Sequence, residues 1–165
     1  FRIQNSEFMC RHNLQYWRSL PYLGLGAGAH GYAAGYRYSN FLRIKTYIER
    51  LANYQLPTLA PGASAGVTNY QFPITPATVN HHKQTPRDDM SEYMLNNLRL
   101  LIEGVSESDF KSRFGRGLKE VYPKEIEELI RDGLLEKKTS ETSEVLRLTK
   151  RGRLLGNKVF VRFVD

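Results

Sequence analysis

Apolar residues recur at helical spacing along three stretches of the second half of the chain. Met90, Met94, Leu98, Leu101 and Ile102 share one face of a helix predicted from about Asp88 to Glu103, and Gly104 is placed to cap its end. Ser106 or Ser108 opens a short helix holding Phe110 and Phe114. Pro123, favoured in a first turn, starts a third helix with Ile126, Leu129 and Ile130 facing inward, and Gly133 stops it. From Leu134 to Thr149 the pattern changes to alternation. Leu146 and Leu148 sit between polar neighbours, which predicts a hairpin whose turn lies in the polar run Thr139–Ser143. After Thr149 a last helix carries Leu154, Leu155, Val159, Phe160 and Phe163. Helices, a hairpin and a closing helix predict a winged-helix-like domain over residues 87–165.

The first half is patterned differently. Residues 20–40 are rich in Gly, Ala and Tyr, and Tyr32, Tyr36 and Tyr38 with Gly35 predict extended structure with close backbone approach. Asn40 reads as the N-cap of a helix in which Ile44, Tyr47, Ile48 and Leu51 share a face, ending near Tyr54. Pro57, Pro61, Pro73, Pro76 and Pro86 break up residues 55–86, which carry no amphipathic period and read as a linker. The expected organisation is an α+β chain: strands and a helix over 1–54, a Pro-rich linker over 55–86, and the winged-helix-like domain.

Charge tests whether that domain reads DNA. The net charge is +7, but the excess lies mostly in residues 1–80, with seven basic against two acidic side chains. A DNA-reading winged helix inserts the helix before its wing into the major groove. Here that helix, residues 123–132, holds two basic and four acidic side chains. Phosphate contacts dominate nucleic-acid affinity, so an acidic reading helix argues against a nucleic-acid partner. The cluster Lys150, Arg151, Arg153, Lys158 and Arg162 reads as a solvated helix face, and the domain as a packing or docking module. The single cysteine, Cys10, can form no intrachain disulfide and cannot alone hold an iron–sulfur cluster. It reads as a small buried side chain rather than a metal ligand. No stretch approaches the length of a membrane span, and the expected compartment is the cytoplasm. A chain opening on Phe1 reads as a piece of something longer.

Two runs carry candidate chemistry. In Cys10-Arg11-His12-Asn13-Leu14-Gln15-Tyr16-Trp17, a helix would place His12 and Tyr16 on one face at i, i+4. A neutral imidazole is a normal axial ligand of heme iron, and Tyr and Trp can lie against a flat macrocycle. A histidine hydrogen-bonded among aromatics for structural reasons shows the same pattern. The second run, Tyr22 to Gly31, has glycines at 24, 26, 28 and 31. It lacks the following helix of a dinucleotide-binding turn. Its glycines imply a backbone that a ligand or another strand approaches closely. The adjacent His81 and His82 cannot converge on one metal in regular structure and read as exposed linker residues. No Ser-His-Asp arrangement and no paired carboxylates stand out.

His12-Asn13-x-x-Tyr16-Trp17 followed by GLGAGAHG resembles the oxygen-independent coproporphyrinogen III oxidase-like radical SAM family. The resemblance continues in order through Tyr47-Ile48, Asn97-Leu98-Arg99-Leu100, Glu103-Gly104-Val105, Gly133-Leu134-Leu135, Leu146-Arg147-Leu148-Thr149 and residues 153–160. It covers most of the chain outside residues 55–86. The first motif points to the heme-chaperone branch, which binds heme and hands it to acceptor proteins. The alternative within the family is the oxidase, which decarboxylates coproporphyrinogen III using S-adenosylmethionine. The resemblance implies that residues 1–54 are the C-terminal edge of a radical SAM partial barrel. It implies that His12 ligates heme iron, with Asn13, Tyr16 and Trp17 around it. It also implies that Gly26, Ala27, Gly28, Ala29 and His30 wall a cofactor cavity. The Cys-x-x-x-Cys-x-x-Cys loop of the family is not in this sequence. The 4Fe–4S cluster and S-adenosylmethionine are therefore expected only in a full-length protein, and the fragment is expected to lack radical activity. Heme-acceptor proteins are the expected partners, with any membrane association peripheral and through them.

Overall fold

The computed structural model describes residues 10–52, 54, 74–139 and 144–164. It is a mixed helix and sheet structure whose chain divides into two compact units, residues 1–20 with 85–165, and residues 21–84. This division differs from the expected boundaries at residues 54 and 86. The segment around His12 joins the C-terminal unit, and part of the expected linker joins the other.

In the C-terminal unit, α1 (Arg11–Trp17) precedes α3 (Pro86–Asn97), with α2 (Ile44–Leu51) in the other unit. Thr85 caps α3 in a reciprocal box: its hydroxyl accepts from Asp88 N–H, and the Asp88 carboxylate accepts from Thr85 N–H. The helix stops at Asn97, short of the expected Glu103. Leu101 and Ile102 are therefore off its apolar face and exposed. Gly104, at φ +68, turns the chain into the short β4 (Val105–Ser106), which the sequence pattern does not reveal. Ser106 caps α4 (Glu107–Phe114) through Asp109 N–H, as expected. A one-turn α5 (Leu118–Val121) leads to α6 (Pro123–Arg131), which Pro123 opens as predicted. The hairpin forms from β5 (Leu135–Thr139) and β6 (Glu144–Leu148). Its expected turn lies largely outside the described residues. The sheet order is β4-β6-β5, all antiparallel, with Val105 opposite Leu146 and Leu135 opposite Leu148.

The expected last helix is two short ones, α7 (Lys150–Leu154), capped by Thr149, and α8 (Gly156–Phe160), closed by a 3-10 turn over Val161–Phe163. The break at Leu155 leaves Leu154 83% exposed, whereas Val159 and Phe163 are fully buried. The core gathers Met94, Leu98, Phe110, Tyr122, Leu129, Leu135 and Phe163 among others. Its aromatic centre is a chain of ring contacts: Phe110 meets Phe114 at 4.8 Å and Tyr93 at 5.8 Å, and Tyr122 meets Phe163 at 5.2 Å.

Burial pushes the Tyr93 phenol up to about 12, and nearby Asp109 adds to the shift, against Arg113. A raised folded-state value gives stability that is full below the ordinary value of 10.0 and is lost as pH rises toward 12. Stability should therefore fall across this window in the native sequence and fall less steeply in Tyr93→Phe. Urea midpoints measured at intervals across it check the expectation, and parallel curves would contradict it.

The second unit is a three-stranded antiparallel sheet, β1 (His30–Ala33), β2 (Tyr36–Asn40) and β3 (Thr78–Lys83), in that order, with α2 (Ile44–Leu51). β3 lies within the expected linker. His81 pairs opposite Tyr38 and His82 opposite Arg37, so both are exposed residues of an outer strand rather than of a tether. Residues 55–73 of that linker lie outside the described residues. Asn40 does not cap α2, whose N-cap is Arg43. Instead the buried Asn40 amide donates to the carbonyls of Gly24 and Gly26, each at 3.0 Å, and holds the glycine-rich run.

Candidate functional site

Helix α1 presents the first candidate motif. His12 and Asn13 are exposed, and Tyr16 and Trp17 are half-buried. As the i, i+4 spacing requires, the Tyr16 hydroxyl and His12 Nε2 lie 3.0 Å apart in a hydrogen bond, and the two rings meet edge to face at 5.0 Å. The structure thus brings His12, Tyr16 and Trp17 together on one short helix. Cys10, expected to be buried, is exposed at its N-terminal end. Among the described residues no group of three His, Cys, Asp or Glu side chains could hold a metal ion.

A seven-residue helix is marginal by itself, and α1 is held by partners distant in sequence. Ser19 ends the helix in a left-handed conformation at φ +51, unusual for a residue with a Cβ. Two closing hydrogen bonds, Ser19 N–H to Tyr16 and Leu20 N–H to Gln15, complete a Schellman-type end. The strain is offset by contacts to Ser19, which is only 5% exposed. Asn96 on α3 donates to its hydroxyl at 3.0 Å, and Arg113 on α4 donates to its carbonyl at 2.6 Å and to that of Arg18 at 3.2 Å. The Arg113 guanidinium also lies 5.4 Å from the Tyr93 ring centre. Arg18 makes a two-pronged ion pair with Glu103 at 2.9 and 3.3 Å, and that carboxylate raises the Arg18 guanidinium further above its ordinary value. Trp17 is faced by the Arg99 guanidinium at 5.5 Å, which also faces Phe160 at 4.8 Å. Sequence reasoning missed Asn96 and Arg113 altogether. Their partners lie 77 and 94 positions away, a separation that no local spacing rule reaches.

The glycine-rich run, by contrast, is approached by its own unit. A Cβ on Gly31 would stand 2.2 Å from the Tyr38 ring, and one on Gly24 would stand 2.3 Å from the His30 carbonyl. Gly24 N–H donates to the Tyr38 hydroxyl at 2.9 Å, and Gly26 N–H to the Tyr47 hydroxyl at 3.1 Å. Of the two approaches the glycines allow, the structure contains the strand and its tyrosines. Gly26, Ala27, Gly28 and Ala29 are half-buried in the loop before β1, and His30 is exposed at the strand's first position. His30 lines a hollow of about 210 Å³ with Tyr22, Arg37, Tyr38, Ser39, Asn80 and His82. No helix among the described residues is long and apolar enough to cross a membrane.

Residues 84–155 match the HemN C-terminal domain family. The chain is 33% identical over 154 residues to the heme chaperone HemW of Bacillus subtilis (strain 168), covering 93% of this chain and 34% of that protein. It is 29% identical over 157 residues to the heme chaperone HemW of Lactococcus lactis subsp. lactis (strain IL1403), covering 95% of this chain and 34% of the relative. The chain thus spans about a third of the length of the curated relatives it matches. Among solved structures it resembles coproporphyrinogen III oxidase (HemN) from Escherichia coli, a radical SAM enzyme. The TM-score is 0.56 at 16% identity, over 87% of this chain and 28% of the other, which is a likeness of fold.

Proposed function

This chain belongs to the oxygen-independent coproporphyrinogen III oxidase-like radical SAM family, matching the C-terminal portion of its heme-chaperone branch, and on that premise we propose that it binds heme through His12 for delivery to acceptor proteins. The observation that carries the reading is an exposed imidazole fixed by Tyr16 on a helix whose end is clamped by Asn96 and Arg113. An imidazole needs only an accessible lone pair to ligate a heme iron. His12 supplies the imidazole, Trp17 a half-buried aromatic ring on the same helix, and Asn13 an exposed amide. In this account residues 87–165 are a winged-helix-like module, with the β5–β6 hairpin as its wing, that docks protein rather than nucleic acid. The strands within residues 1–54, β1 and β2, are the edge of the partial barrel, with residues 26–30 along its cofactor cavity. A single thiol cannot hold a 4Fe–4S cluster, so cluster and S-adenosylmethionine belong to a full-length protein of this family. The cytoplasm is the proposed compartment.

Tyr16 has a defined part in this reading. With the phenol donating to Nε2, the lone pair that would meet the iron is engaged, and binding must displace the phenol. A net hydrogen bond contributes about 0.5–1.5 kcal/mol, so Tyr16→Phe should tighten heme binding by roughly two- to tenfold. The competition suits a carrier that must also release its cargo. Weaker binding by Tyr16→Phe would show instead that the phenol orients the ring for ligation through Nδ1.

The test of function is transfer. The heme-loaded chain, mixed with apomyoglobin, should give up its heme on a timescale shorter than loss to buffer, and His12→Ala should load no transferable heme. The oxidase reading, that the full-length protein converts coproporphyrinogen III, draws on the HemN C-terminal domain match and a likeness of fold at 16% identity, against 33% identity to a heme chaperone over 93% of the chain. Anaerobic turnover of coproporphyrinogen III by the full-length protein would bring it forward.

A further inference from the structure

Beside Trp17, the C-terminal unit carries an open groove of about 600 Å³ that neither candidate motif includes. Its walls come from the turn after α3 and from α7 and α8. The lining mixes two chemistries. Leu101, Leu148, Leu154, Leu155 and Phe160 supply apolar surface, with Leu101 50% and Leu154 83% exposed. Arg99, Arg153 and Lys158 supply three cations, and no Asp or Glu lines the groove. Among the described residues no carboxylate pairs with Arg153 or Lys158, whereas Arg18, Arg116 and Lys137 all have such partners. Exposed leucines beside unneutralised cations suit a ligand that is flat and apolar in its body and anionic at its edge. The volume falls in the range of about 300–1,000 Å³ typical of small-molecule sites.

We propose that this groove is the carboxylate-binding half of the heme site, taking the two propionates of the porphyrin whose iron His12 ligates. The inference rests on the His12 reading and gives that site its second anchor. Arg99 joins the two halves, since its guanidinium faces both Trp17 and the groove-lining Phe160. Trp17 stands five positions beyond His12 on α1, so one helix carries both the imidazole and the ring that Arg99 faces. Arg153 and Lys158 provide charge at the open side, where carboxylates can keep part of their hydration.

Arg153→Glu/Lys158→Glu tests this, because both side chains are exposed and the reversal leaves the core untouched. Hemin and hemin dimethyl ester, in which the carboxylates are masked, are titrated into the native chain and the double variant at fixed salt, and the Soret and visible bands are recorded. The expected result is a tenfold or greater loss of hemin affinity in the variant, with the imidazole-ligated spectrum unchanged at saturation. The dimethyl ester should bind both chains equally and more weakly than hemin binds the native chain. Equal hemin affinity in the two chains would overturn the proposal, as would a loss of the same size for hemin and ester. Failure of the His12 reading looks different: the imidazole-ligated spectrum would then survive in His12→Ala, whatever the groove variant does.

Discussion

Replacing Phe110 by alanine is expected to cost about 3–5 kcal/mol of folding stability, the usual range for a buried phenylalanine. Phe110 is fully buried and touches the rings of Phe114, Tyr93 and Tyr122 at 4.8, 5.8 and 6.4 Å. Truncation would remove the ring from all three at once and leave a cavity among stiff aromatic neighbours that cannot close over it. Whole domains hold only about 5–15 kcal/mol, so a large part of the margin would go. The consequence reaches the site through α4. That helix carries both Phe110, which faces the core, and Arg113, which donates to the carbonyls that end α1. The urea midpoint should fall sharply, and heme binding should weaken in parallel with the loss of helical circular dichroism. A loss under about 1 kcal/mol would contradict the packing described here, since it would fall below the range for any well-packed large-to-small core change.

His12→Ala should behave in the opposite way. The side chain is exposed, and surface substitutions away from special features change stability by no more than about 0.5 kcal/mol. Removing it deletes the imidazole that α1 offers. Altering even the outer partners of metal ligands lowers affinity by about 10–100-fold, so loss of the ligand itself should weaken heme binding by at least roughly 100-fold. The urea midpoint should not move. His81→Ala/His82→Ala should keep native affinity, because adjacent strand residues point to opposite faces and cannot share a metal. A saturable one-to-one titration by absorbance checks both variants. Undiminished binding by His12→Ala would remove the ligand from the account.

Much of the C-terminal unit was legible because its signals are local. Ser106 at the start of α4 and Pro123 at the start of α6 each act within a single turn of helix. The misplacements have physical causes of equal clarity. Leu101 and Ile102 continue the helical period of α3, but the chain leaves the helix at Asn97 and turns at Gly104, so the period outlives the helix. Asn40 resembles a cap because it is an amide before a helix, yet its amide is spent on the Gly24 and Gly26 carbonyls. β3 shows no alternation because it is an outer strand, exposed along nearly its whole length. β4 is two residues long and has no pattern to show. In the candidate site, the pairing of His12 with Tyr16 follows from spacing alone. Its clamp by Asn96 and Arg113, and the convergence of Arg99, Arg153 and Lys158 on one groove, depend on tertiary packing across most of the chain.

The measurement that bears most directly on the central claim is low-temperature electron paramagnetic resonance of ferric heme, added at one equivalent to the native chain, to His12→Ala and to His81→Ala/His82→Ala. The account predicts a single imidazole-ligated species in the native chain, unchanged in the double variant and absent in His12→Ala. An imidazole-ligated signal that persists in His12→Ala and disappears with His81 and His82 would contradict it, and would place the heme on the outer strand of the sheet instead of on α1.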